Sequence, residues 1–228
     1  MKTRANKAFT MVEILIAIGL MGILCVLLLS AFSGISQRMD QATCANNLRQ
    51  LYLLTNAYVA DNGGRYPPDL SGSVNNVTLY WRRSLLPYMA LKAGGSGATA
   101  DVFRSKLTCP PIRREIEARG GSPDIASFGF NVYISDPAEP LLRGIPQVSV
   151  RAPSRTFLAT EACLKAGATQ PLEVIRPEYM TTCPTVWNPH NGYQNLLYLD
   201  GHIEFFKDIR LLGKAPYSPG SENDIWTP

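Results

Sequence analysis

Between Lys7 and Arg38 the chain carries a single charged side chain, Glu13. Phe9 to Phe32 is a run of 24 residues. As a helix rising about 1.5 Å per residue it reaches roughly 36 Å, against roughly 30 Å of hydrocarbon in a bilayer. It is long enough to span. Lys2, Arg4 and Lys7 stand before it, so the positive-inside bias keeps the N-terminus cytoplasmic and exports the rest of the chain. Those three residues also account for most of the net charge of +4. From Gly63 onward 17 Lys/Arg face 15 Asp/Glu, a balance that leaves no nucleic-acid footprint.

Three kinds of N-terminus share this outline. An ordinary signal peptide has a basic start, an apolar middle and a small-x-small exit, which Ala31-Phe32-Ser33 supplies before Gly34. A signal anchor keeps the span uncut. A prepilin leader is removed ahead of the apolar run, which then stays on the mature protein. Glu13 separates them, because a carboxylate costs about 2.5–3.5 kcal/mol at the membrane centre and less near its edge. A signal peptide has no use for that cost. If cleavage falls between Ala8 and Phe9, Glu13 becomes the fifth mature residue, about one helical turn from a new α-amino group. In a packed array of such helices the carboxylate pairs with the amine at Phe9 of a neighbour, removing two uncompensated charges together.

Ala8-Phe9-Thr10-Met11-Val12-Glu13, with its basic leader and apolar run, resembles the cleavage and methylation motif of type IV pilins and type II secretion pseudopilins. The resemblance implies cleavage before Phe9 by a prepilin peptidase and methyltransferase, N-methylation of Phe9, and Glu13 as the assembly residue. It also implies other pilin or pseudopilin subunits and an inner-membrane assembly platform as partners. Ala8 stands where the family usually has glycine. Ser30 lies near the place where many pilins carry a helix-breaking proline.

No proline occurs before Pro67, although the chain has 17. Met39, Ala42, Ala45, Leu48, Leu51, Leu54 and Tyr58 recur at three- and four-residue steps, so one helix is expected from Phe9 to near Ala60, its second half carrying a head on that stripe. Asn62-Gly63-Gly64 ends it. Beyond lie loops punctuated by Pro67-Pro68, Pro110-Pro111 and Pro123, with a short helix expected over Arg113 to Arg119. Strands are expected at Ser127 to Ile134, Gln147 to Val150 and Thr156 to Thr160.

The clearest strand pair is Asn195 to Phe206. Asp200-Gly201 fits a two-residue type I′ turn. Pairing outward sets Leu199 opposite His202, Tyr198 opposite Ile203, Leu197 opposite Glu204 and Leu196 opposite Phe205. Tyr198, Ile203, Leu196 and Phe205 then form an apolar face for the long helix, while His202 and Glu204 meet water. His190, nine residues before Asp200-Gly201, completes an element similar to the H-X9-DG of a large subgroup of prepilin-type proteins. Cys44-Ala45-Asn46-Asn47-Leu48-Arg49-Gln50-Leu51, Thr108-Cys109-Pro110, and Pro153-Ser154-Arg155-Thr156 leading to Glu161 also resemble that subgroup.

For His190 one reading is a metal or catalytic histidine, with Asp200, His202 and Cys183 near in sequence. The other, which we favour, is a ring that bonds the hairpin backbone and fixes the Trp187–Tyr193 loop. Two histidines without clustered partners lack the short fixed spacings of a zinc site. A Cys183/His190 nucleophile pair has no oxyanion site. We therefore expect no catalytic residues, no metal and no cofactor.

Cys25, inside the apolar run, is a small apolar residue. Cys44, Cys109, Cys163 and Cys183 are even in number and allow three connectivities. In an oxidising compartment the expected pairs are Cys44 with Cys109 and Cys163 with Cys183; four reduced thiols are the alternative. The tail from Lys214 reads as an extended cover on the sheet, and Glu222 with Asp224 is too little for a calcium loop.

The expected protein is α+β and pilin-like, a long N-terminal helix packed on a small antiparallel sheet. Residues 1–8 form a cytoplasmic leader, 9–62 the helix with its transmembrane part at about 9–32, and 63–228 an exported head with the hairpin at 190–206. It sits in the inner membrane as a single-pass protein, head periplasmic or extracellular, and in a filament after assembly. Its expected role is structural. A membrane-anchored module that binds an extracellular ligand without polymerising is the alternative, and an exported enzyme released after Ser33 is a remoter one.

Overall fold

The structure, a computed structural model, describes residues 10–68, 73–74, 77–78, 81–89, 107–121, 127–134, 144–162, 174–175, 189–190, 192–207 and 224–228. The chain divides into two units, Met1–Met39 and Asp40–Pro228. Helix α1 runs unbroken over Met11–Asp61, as the absence of proline requires. Its start is a capping box that the apolar pattern concealed. Thr10 donates its backbone N–H (2.8 Å) and its hydroxyl (2.9 Å) to Glu13 Oε2, and the Glu13 N–H returns to Thr10 Oγ1 at 3.3 Å.

In the first unit, Met11–Leu29 is long and apolar enough to cross a membrane. Its aliphatic side chains are exposed all round, from 82% at Met11 to 48% at Leu28. Nothing within 4 Å would meet a Cβ on Gly19 or Gly22.

In the second unit, α1 buries Cys44, Leu48, Leu51, Thr55 and Val59. The expected stripe holds from Ala45 onward, with Ala45, Leu48 and Leu51 buried and Leu54 and Tyr58 packed at its edge, but it does not reach back to Met39, which is 64% exposed, or to Ala42, which is exposed. Thr55 is tolerated there because its hydroxyl donates to Leu51 O at 2.8 Å. The helix closes with Gly63 at φ +64° and a bond from Gly64 N–H to Val59 O at 2.9 Å, the six-to-one bond of a Schellman end.

The remaining elements are strands β1 (Ser73–Val74) and β2 (Val77–Thr78), α2 (Trp81–Leu85) running into a 3₁₀ turn (Leu86–Met89), and α3 (Pro110–Ala118). Strands β3 (Phe128–Asn131), β4 (Phe157–Glu161), β5 (Val174–Ile175), β6 (Tyr193–Tyr198) and β7 (Ile203–Lys207) complete the chain. They form one sheet in the order β5-β3-β4-β6-β7. Four strands pair antiparallel, and β5 joins β3 in parallel at the edge, which the alternating pattern does not foretell. Gln147–Ser149 is a 3₁₀ turn rather than a strand. Val148 there is 95% exposed, so its β-branched character reflects no sheet burial. The segment is held instead by Gln147 N–H to Gly64 O and Tyr66 N–H to Ile145 O.

Both faces of the sheet are covered. On one lie Leu158, Ala159 and Leu197 with the α1 stripe, Ile112 and Ile116 of α3, and Trp81, whose ring stacks on Phe130 at 4.4 Å. On the other, Phe157, Leu196 and Tyr198 pack on Ile225 and Trp226. A register shift between Phe157 and Ala159 accompanies the change of face within β4. Asn131 fastens the C-terminal segment, its amide donating to Phe157 O at 3.0 Å and Trp226 O at 2.9 Å. The end of the tail is thus a cover on the sheet. Asp224 serves it by accepting the N–H of Trp226 and Thr227; Glu222 lies outside the described residues.

The β6–β7 register differs by one residue from the expected pairing. Leu197 faces Ile203, Leu196 faces Glu204 and Asn195 faces Phe205. The loop is Leu199-Asp200-Gly201, with Gly201 N–H to Tyr198 O and Tyr198 N–H to His202 O, both 3.0 Å. Three residues with a glycine at φ +93° make a turn plus bulge instead of a two-residue turn. One residue of shift exchanges the faces. In β6, Leu197 takes the α1 side while Leu196 and Tyr198 turn to the other face; in β7, Ile203 keeps the expected α1 side and Phe205 is left 53% exposed. A Cβ on Gly201 would lie 2.6 Å from the Tyr52 ring on α1. Tyr52 is partly buried against the core, so a side chain here displaces its ring as well as straining the backbone: Gly201→Ala should lower stability by at least about 1–2 kcal/mol, and Gly201→Asn carries less of the backbone strain, since asparagine tolerates this region. Denaturant titration of the detergent-solubilised chain, followed by tryptophan fluorescence, checks the ranking.

Candidate functional site

Four elements bring Cys44, Cys109, Glu161 and His190 together in the core, their ligand atoms all within 4.8 Å of one another. Cys44 begins the buried stripe of α1. Cys109 is the N-cap of α3, at φ −87° and ψ 116°, ahead of Pro110 and Pro111, which suit the first turn because its N–H groups need no helical partner. Cys109 and Cys44 are joined in a disulfide with Cα atoms 4.9 Å apart. One turn along α1, Asn47 donates to Thr108 O at 2.8 Å and makes a second tie.

Glu161 closes β4 and is fully buried. Its carboxylate accepts the Asn195 N–H at Oε2 (2.7 Å) and the Asn195 side-chain amide at Oε1. Oε1 also lies 3.3 Å from His190 Nε2. His190 precedes β6, where a bridge to Tyr193 and Gly192 at φ +97° turn the chain. Its Nε2 is 3.5 Å from Cys109 Sγ, while Nδ1 is buried without a hydrogen-bond partner among the described residues. The ring therefore reaches a sulfur and a carboxylate, not the hairpin backbone expected from sequence. One nitrogen serves both neighbours. A nucleophile–base–orienter relay uses the two imidazole nitrogens separately, so the arrangement is a convergence of donor atoms on one point.

His190 and Asp200-Gly201 do not share a site. They bracket β6, His190 at its start and the glycine turn against Tyr52 at its end. Asp200 accepts from His202, both from its N–H (3.1 Å) and at Nδ1 (2.6 Å), and Tyr198 stacks on the His202 ring. Ala8, Phe9, Cys163 and Cys183 lie outside the described residues. Glu161, a landmark of the subgroup resemblance with no role assigned to it, and Asn195, read only as the start of the hairpin, carry the site; a carboxylate ending the buried run Phe157-Leu158-Ala159-Thr160 is the signal for it.

No family model, curated protein or solved structure matches this chain.

Two outcomes test how the site is held. The disulfide closes a separation of 65 residues, so Cys44→Ser should lower stability by about 4 kcal/mol on chain-entropy grounds. Glu161→Ala strands two Asn195 donors and should cost about 3 kcal/mol, whereas Glu161→Gln keeps an acceptor and should cost clearly less. Denaturation of each variant, with the disulfide state fixed by non-reducing electrophoresis, measures both.

Proposed function

We propose that the mature chain is a structural subunit of a type II secretion-type pseudopilus or a related type IV pilus-like filament. A prepilin peptidase cuts it between Ala8 and Phe9 and methylates Phe9, and an inner-membrane assembly platform then moves it from lipid into the fibre. The observation that supports this most is a span exposed on every side whose one charge is Glu13. Capping Thr10 engages only one of the two oxygens of Glu13. Both bonds from Thr10 use Oε2, which leaves Oε1 available to the ammonium of a neighbouring subunit. Pairing there removes two charges from lipid at once. The contact is head to tail, so it repeats without closing, which is how one subunit builds a fibre.

In the native host, Glu13→Ala should be inserted and processed normally, yet its yield in sheared filaments should fall at least about tenfold, the effect of about 1.4 kcal/mol. A non-polymerising binding module would show no such change. Mass spectrometry of the mature terminus should find N-methyl-Phe9; a start at Gly34 would reject the proposal.

A further inference from the structure

The geometry points to a zinc site in the reduced protein, formed by Cys44, Cys109, Glu161 and His190, with the Cys44–Cys109 disulfide as its metal-free oxidised form. Two thiolates, one imidazole and one carboxylate are a donor set that Zn²⁺ takes in tetrahedral coordination. With Zn–S about 2.3 Å and Zn–N and Zn–O about 2.0 Å, a tetrahedron puts sulfur and nitrogen about 3.5 Å apart and nitrogen and oxygen about 3.3 Å apart. The observed separations are 3.5 Å for Cys109 Sγ to His190 Nε2 and 3.3 Å for His190 Nε2 to Glu161 Oε1. Two edges of the tetrahedron are already built. The two sulfurs, bonded to each other here, have to part to about 3.8 Å.

The surroundings suit a ligand set. Donation from Asn195 fixes the Glu161 carboxylate, as outer-shell bonds fix metal-bound carboxylates. Binding through Nε2 leaves Nδ1 to carry the imidazole hydrogen. All four residues are buried, so a bound ion is shielded from competing water.

The chemistry balances in two steps. A dithiol reductant gives two electrons and two protons to the disulfide, becoming a disulfide itself and leaving two thiols at Cys44 and Cys109. Zn²⁺ then replaces the two thiol protons, which go to solvent, and gains His190 Nε2 and Glu161 Oε1. A newly made chain, whose cysteines are still thiols, needs only the second step. Zinc and disulfide are mutually exclusive ties between the same two elements, α1 and the start of α3. The metal therefore holds the head together before oxidation; when an exchanging disulfide accepts the two electrons and leaves as a dithiol, the Cys44–Cys109 bond forms and Zn²⁺ is released.

The test uses the full chain in detergent, reduced and freed of metal. One equivalent of Co²⁺ should produce thiolate charge-transfer absorption and the strong visible bands of a tetrahedral site, bleached by Zn²⁺; the oxidised chain should produce neither. In the unaltered chain one equivalent of Zn²⁺ should slow alkylation of Cys44 and Cys109 at least about tenfold, located by peptide mapping. His190→Ala and Glu161→Gln, each first shown to form the native disulfide when oxidised, should weaken Co²⁺ binding by about tenfold or more. Absence of stoichiometric Co²⁺ bands in the reduced chain, unprotected Cys44 and Cys109, or unchanged binding by the properly folded His190→Ala variant overturns the assignment. None of these readouts depends on filament assembly.

Discussion

Cys44, Leu48, Leu51, Thr55 and Val59 form the surface on which the head is built. Burying an aliphatic side chain of this size contributes about 1.5–3 kcal/mol, and the stripe meets α3 and the inner face of the sheet in one cluster. Hydrophobic contact is not directional, so other features must fix how the elements meet. The disulfide does this near the start of the stripe, at the N-cap of α3. Gly201 does it farther along, where the β6–β7 turn comes against Tyr52. Asn131 does it on the far face by holding Trp226 to β3 and β4.

The H-X9-DG element gains a physical meaning from this arrangement. Its spacing fits one strand with a short lead and the start of a turn. His190 enters the core beside Cys109, and Gly201 supplies the positive φ that lets the chain reverse. One end of β6 thus lies beside the Cys109–Cys44 bond and the other comes close against Tyr52 of α1. Both placements favour a single register. Slippage by even one residue would send Leu197 to the wrong face.

Much of this was legible in the sequence, and the failures share a cause. The extent of α1 follows from the absence of proline, and its end from Asn62-Gly63-Gly64. The line Ala45, Leu48, Leu51, Leu54, Tyr58 is read correctly, but the start and width of the stripe are not, because Met39 and Ala42 fit the helical period as well as Cys44 and Thr55 do. Asp200-Gly201 fits a two-residue turn and a three-residue bulged turn alike, so the register depended on which residues the core would accept. The parallel β5 edge and the 3₁₀ turn after Pro146 are set by partners distant in the chain. The same is true of the buried site. Its residues lie at positions 44, 109, 161 and 190, with none of the short spacings by which a local motif is recognised, and only folding brings them within a few ångströms.

Two carboxylates in this chain, Glu13 and Glu161, are held in opposite ways. Glu13 is held by Thr10, three residues away, through bonds that belong to the first helical turn. In the proposed filament, exchanging them for a neighbour's ammonium would disturb nothing beyond that turn. Glu161 is held by Asn195 and faces His190 across the sheet. Releasing it strands donors in the core at about 1–3 kcal/mol each, and with them the positions of β4, β6 and the cysteine pair. A local partner ties the first carboxylate to one helical turn only. Partners from distant segments make the second a fixed part of the fold, which is what a preformed ligand site requires.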